Sequence, residues 1–211
     1  MTRTSLSALL ALALSAFANA AEPVYANDFE SADVGKPPKD FLIISGAFLV
    51  QQEGANKFLE LPGSPLDTYG ALFGPAQMDG LSATAKFFGT KTGRKFPAFG
   101  LSLNGAGGYR LQVSAAKKQL EIFKSDESRS SVPFEWTDAA WLSLRIQARK
   151  TPAGGWVIEG KAWPAAAAEP EKWNIALEEK DAPAAGRPGV WGSPFSGTPI
   201  RFDDIAITPI R

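Results

Sequence analysis

From residue 24 to residue 207 the chain breaks into short apolar or alternating runs, each closed by Gly, Pro, Asn or Asp before an ordinary helix could form. The runs are VYANDFE (24–30), FLIISGAFLVQQ (41–52), KFLELP (57–62), YGALFG (69–74), LSATAKFF (81–88), FPAFGLSLN (96–104) and GYRLQVSA (108–115). KQLEIFKS (118–125), WLSLRIQARK (141–150), WVIEGKAW (156–163), WNIALEE (173–179), RPGVWGS (187–193) and PIRFDDIAI (199–207) follow. Recurrence about every 8–12 residues with turn signals between predicts an all-β sandwich or barrel. Gly46 is a natural break within 41–52, and KKQLEIFKS followed by DESRSSVPFEW reads as strand, polar hairpin, strand. The one helix-like stretch, PAAAAEPEKW (164–173), carries Pro170 in its middle and is read as a loop. GTKTGRKFP (89–97) reads as a basic, solvated hairpin tip.

Successive side chains on a strand point to opposite faces, so alternation identifies the wet and the packed side. In YRLQVSA, Tyr109, Leu111, Val113 and Ala115 oppose Arg110, Gln112 and Ser114. In WLSLRIQARK, Leu142, Leu144, Ile146 and Ala148 oppose Trp141, Ser143, Arg145, Gln147 and Arg149. This is the pattern of antiparallel sheets with one covered face. The last run is different. Strict alternation through TPIRFDDIAITPI puts Ile200, Phe202, Asp204 and Ala206 on one face, and Arg201, Asp203, Ile205 and Ile207 on the other. Each largely apolar face then contains one carboxylate, which demands a local explanation.

The first twenty residues have another role. Arg3 supplies a positive start, LSALLALALSAF a short apolar run, and ANA a small-residue cleavage site. This predicts a signal peptide (1–20), a single domain over 21–211, and export to the periplasm or the outside of the cell. No further apolar stretch approaches membrane length, which argues against membrane insertion. With 22 basic and 22 acidic residues the chain lacks the net positive charge that draws proteins to nucleic acid. It contains neither cysteine nor histidine. Disulfides, thiol nucleophiles, Ser-His-Asp catalysis and the usual zinc sites are thereby excluded. Catalysis would have to use carboxylates, lysine, tyrosine or a hard metal ion.

YANDFESADVGKPPKDF at the start, the WLSLRIQARK strand, and the closing GRPGVWGSPFSGTPIRFDDIAI together resemble concanavalin A-like lectin/glucanase domains. The likeness is greatest to the laminin-G-like and 3-keto-disaccharide hydrolase-like sandwiches of secreted bacterial proteins. It implies an antiparallel two-sheet β-sandwich, a concanavalin A-like jelly roll, in which the first strand pairs with the last. Glucanases of this superfamily carry a Glu-x-Asp-x-x-Glu strand, and no such spacing occurs here; EIFKSDE and EWTD come nearest. No catalytic residue is assigned.

If the first and last strands pair, Asp28 and Glu30 approach Asp203 and Asp204. Crowded carboxylates of this kind suit a structural calcium ion, which takes six to eight oxygens. The alternative is that one aspartate accepts backbone N–H groups at a bulge while the other pairs with Arg201 or faces water. For a ligand, aromatic stacking on sugar C–H faces singles out Trp191 and Tyr109, with Arg110 and Arg145 as polar partners. Trp141, Trp156 and Trp173 read as strand-packing residues. NGAGG (104–108) and GSPFSG (192–197) read as turns, since neither opens a helix nor carries the lysine of a phosphate loop. The expected function is an exported, non-catalytic carbohydrate-binding or extracellular recognition module with a glycan as partner. The alternatives are a glycoside hydrolase or lyase using carboxylates, and a purely structural envelope protein.

Overall fold

A computed structural model describes residues 22–65, 67–77, 79–195 and 197–210. The predicted signal peptide lies outside these. The strands are β1 (Tyr25–Asn27), β2 (Leu42–Ser45), β3 (Leu49–Glu53), β4 (Asn56–Leu61), β5 (Tyr69–Leu72), β6 (Leu81–Gly89), β7 (Ala98–Leu103) and β8 (Tyr109–Ser114). They continue with β9 (Gln119–Lys124), β10 (Glu127–Pro133), β11 (Leu142–Lys150), β12 (Trp156–Pro164), β13 (Ile175–Glu179), β14 (Gly189–Ser193) and β15 (Ile200–Pro209). Among the described residues a single 3-10 turn, Ala115–Lys117, is the only helical element, and no helix is long and apolar enough to cross a membrane.

Two antiparallel sheets stack as a sandwich. The eight-stranded sheet runs β13-β12-β11-β6-β15-β4-β3, with β1 also pairing to β15, and the seven-stranded sheet runs β10-β9-β8-β7-β14-β5-β2. The predicted runs become strands, and the break at Gly46 separates β2 in one sheet from β3 in the other. Gly46 adopts φ +96°, and a Cβ there would come within 2.9 Å of Tyr69 Cβ. The chain crosses between layers at that point because only glycine tolerates both constraints.

The core is formed by the inward residues of both layers. Phe87 of β6 stacks on Phe99 of β7 across the sandwich, ring centroids 5.5 Å apart, and Phe202 of β15 meets Phe87 edge-on at 5.4 Å. All three are essentially inaccessible to solvent. Offset and edge-on pairs of this kind add about 0.5–1.5 kcal/mol beyond area burial.

β1 pairs with β15 as the resemblance implied, Tyr25 opposite Ile207 and Asn27 opposite Ile205. Strict alternation in β15 fails, however. Its register on β6 shifts between Asp203 and Ala206, and Asp204 has φ 46°. One extra residue is accommodated there, so Ile200, Phe202, Ile205 and Ile207 all face the core. Neither aspartate lies among the core residues. The bulge falls where the neighbour of β15 changes from β4, paired at Ile200 to Phe202, to β1, paired at Ile205 to Asn27. A carboxylate side chain there supplies an acceptor that the interrupted ladder lacks.

Candidate functional site

The bulge opens onto a cavity of about 400 Å3 on the outer face of the eight-stranded sheet. That volume is within the range of small-molecule sites. Its aromatic part comes from residues whose alternation points them away from the core. Phe58 of β4 lies beneath Arg201, whose guanidinium carbon is 4.5 Å from the Phe58 ring centre and 5.3 Å from that of Phe88. Trp141, half-buried, leans on Phe88 at 5.5 Å and forms one wall.

The polar groups of this cavity differ in how they are held. Arg201 donates to Glu53 at 2.7 Å and to Glu60 at 3.3 Å. Lys86 pairs with Asp204 at 2.5 Å. Asp203 has no ion pair among the described residues: its carboxylate accepts the Asp204 N–H at 2.8 Å and the Asn56 amide at 3.1 Å. Burial pushes its pKa up, and the two hydrogen bonds only partly oppose this. The cavity thus combines an aromatic wall, a buried carboxyl and two cations already matched by carboxylates. Such a surface suits a neutral polyhydroxylated ligand, whose C–H face stacks on a ring while its hydroxyls meet fixed donors and acceptors.

Trp141 is not the strand-packing residue that the sequence predicts: it lies outside the core, half-buried against Phe88. Its phase opposite Leu142 and Leu144 already excluded it from the core, and FF in β6 required one phenylalanine to face out. Those two signals were available. The convergence of β4, β6, β15 and the segment before β11 on one hollow was not.

The four residues predicted to bind a ligand do not form one site. Tyr109 points inward and is 2% exposed. Arg145 lies on the outer face of the eight-stranded sheet, fastened to Ser82 at 2.9 Å and Glu169 at 2.5 Å. Trp191 and Arg110 do meet, on the outer face of the seven-stranded sheet, where the guanidinium carbon is 5.6 Å from the indole. Trp191 is not an open platform: it is 8% exposed, with its N–H donated to Ser102 at 2.7 Å. Gly70 and Gly100 stand opposite it on the flanking strands, and the indole occupies the space above Gly70.

The four predicted calcium ligands are likewise committed elsewhere. Asp28 accepts the Glu30 N–H at 3.1 Å, and Glu30 accepts the Lys57 N–H at 3.0 Å. Asp28 and Asp204 line one shallow hollow, while Asp203 turns toward Asn56. Among the described residues, no group of three or more acidic side chains could hold a metal ion. These carboxylates therefore do not fit a calcium cage. The hydrogen-bonded alternative describes them better, with Lys86 rather than Arg201 as the partner of Asp204.

No protein-family model and no curated protein matches the sequence. Solved structures do. The carbohydrate-binding module CBM66 from Bacillus subtilis aligns with TM-score 0.58 at 12% identity, over 80% of this chain and 95% of that one. The Emp47p carbohydrate recognition domain aligns with TM-score 0.63 at 10% identity, over 91% and 98%. The β-glucanase of Bacillus licheniformis aligns with TM-score 0.57 at 9% identity, over 88% and 98%. The chain has the concanavalin A-like lectin/glucanase sandwich fold.

Proposed function

We propose that this protein is an exported, non-catalytic carbohydrate-binding domain that holds a neutral saccharide in the cavity beside the β15 bulge. The observation that carries the reading is the meeting of Trp141 with Asp203, Asn56 and Lys86 in one hollow of about 400 Å3. Carbohydrate-binding modules and recognition domains among the structural neighbours support it, and the N-terminal pattern supports export. A binding role is favoured over glycan cleavage by the placement of the acids. Glycoside hydrolysis needs two carboxyl groups flanking the scissile bond. Here Asp203 and Asp204 are neighbours on one bulge, and Glu53 and Asp204 are each held in an ion pair.

Glycan-array binding followed by calorimetry tests this. Wild-type protein binds a defined subset of neutral oligosaccharides, and Trp141→Ala weakens that binding about tenfold or more, the loss expected of one stacked ring. Flat binding across the array overturns the reading. Release of shorter sugars from the bound glycan overturns its non-catalytic part.

A further inference from the structure

The opposite face of the sandwich carries a guanidinium whose donors are only partly used. Arg110 leaves β8 on the outer side of the seven-stranded sheet and lays its stem over Gly100, where a Cβ would come within 3.1 Å of Arg110 Cγ. Its guanidinium carbon is 4.9 Å from the Phe123 ring centre and 5.6 Å from that of Trp191. Nε donates to Gln112 at 3.1 Å, and the Gln112 amide donates to Ser114 at 3.0 Å. Ser114 in turn donates to Glu121, which also accepts from Ser128 at 2.8 Å and Lys117 at 3.3 Å. This chain of hydrogen bonds fixes the guanidinium plane.

Nη1 and Nη2 are left over. Among the described residues neither donates to an acceptor, no carboxylate forms an ion pair with Arg110, and neither nitrogen is among the buried atoms that lack a partner. The residue is nonetheless only 8% exposed. Water can reach these two nitrogens, and a planar anion that replaced it would gain two charge-assisted hydrogen bonds without displacing any partner within the chain. Burial pulls its pKa down; the exposed Asp126, in the turn between β9 and β10, acts against this from beyond ion-pair distance. Glu121 is not available as a partner, because its oxygens are committed to Ser114, Ser128 and Lys117.

We infer that this face is a second site, for the carboxylate of an acidic saccharide such as a hexuronate, received end-on by Nη1 and Nη2 of Arg110. A planar, singly charged group matches the planar fork and the one uncompensated charge. A doubly charged phosphate would meet stronger repulsion from Asp126. The saccharide part of the inference rests on the glycan-binding reading above; the carboxylate part rests on Arg110 alone.

Calorimetric titration with oligogalacturonate, its methyl-esterified neutral counterpart and sodium acetate tests the site. Wild-type protein binds oligogalacturonate at least tenfold more tightly than the ester. Arg110→Lys, which keeps the charge and most of the stem, loses about tenfold of that affinity because an ammonium lacks the planar fork that grips two oxygens at once. Asp126→Asn, a change at an exposed turn, tightens binding about twofold to threefold by removing the competing anion. Thermal melting shows that both variants fold. Equal binding of the acidic and esterified oligomers, or an unchanged affinity in either variant, overturns the site. Acetate competing as well as the oligomer overturns its assignment to a saccharide. Retention of oligogalacturonate binding in Trp141→Ala separates this face from the cavity across the sandwich, and its loss there overturns their independence.

Discussion

Glu121 offers a test of how the outer face of the seven-stranded sheet is held together. Its carboxylate is buried, and accepts hydrogen bonds from Ser114, from Ser128 at 2.8 Å and from Lys117 at 3.3 Å. Burial by itself pushes the pKa up, but these three donors outweigh it and hold the carboxyl below its ordinary value. Glu121→Gln keeps the shape and replaces one acceptor oxygen with a donor, so either Ser114 or Ser128 faces an N–H. Hydrogen bonds to a charged group contribute about 1.5–3 kcal/mol each, and the bond from the largely exposed Lys117 adds little. The expected cost near pH 7 is about 2–3 kcal/mol, roughly 5–10 °C in melting temperature for a chain of this size. Its pH dependence follows from the direction of the shift. The folded pKa lies below the unfolded one, about 4.3, so the wild-type advantage is complete above the unfolded value and fades as pH falls through the folded one. Urea unfolding of both proteins at pH 7 and at successive steps below pH 4 measures this. A difference that does not shrink on acidification refutes the reasoning, as does a difference under about 0.5 kcal/mol at pH 7.

Asp203 behaves in the opposite sense. Burial raises its folded pKa, so the native state holds the proton more tightly and the wild type loses stability as pH rises above the ordinary value of 3.8. Asp203→Asn, with Asn56 turning its amide to match, gains on the order of 1 kcal/mol at pH 7, and the gain disappears in acid; melting curves across pH 3–7 decide this. Gly70→Ala places a Cβ 2.7 Å from Trp191 Cη2 and closer to other indole atoms. It costs roughly 2–4 kcal/mol through overpacking and loss of the Ser102 bond, read as a lower midpoint in urea, and a neutral effect would show that the indole can shift freely.

The positions of the strands were legible because short-range rules govern them. Period-2 alternation in YRLQVSA and WLSLRIQARK sorted inward from outward residues correctly, placing Leu111 and Leu144 in the core and Arg110 and Arg145 outside. The same rule failed in PIRFDDIAI. A bulge is set by what the neighbouring strands do, and the neighbour of β15 changes from β4 to β1 at that point. Trp191 could be recognised as an outward aromatic, but not as a covered one. Its cover depends on Gly70 and Gly100, which the chain brings from well over eighty residues away in sequence.

By themselves, then, alternation, turn residues and composition determined an all-β sandwich or barrel, free of disulfides and histidine chemistry, because all three are local properties of the chain. The two-sheet form, with the head strand closing against the tail, was implied by the resemblance to concanavalin A-like domains. Only the tertiary structure decided which outward residues share a surface. It separated Arg145 from Arg110 by the thickness of the sandwich, and joined Trp141 to Asp203 beside a bulge. Proximity across a sheet is fixed by strand order and register, which pair residues far apart in the chain and leave no mark in any short stretch of it.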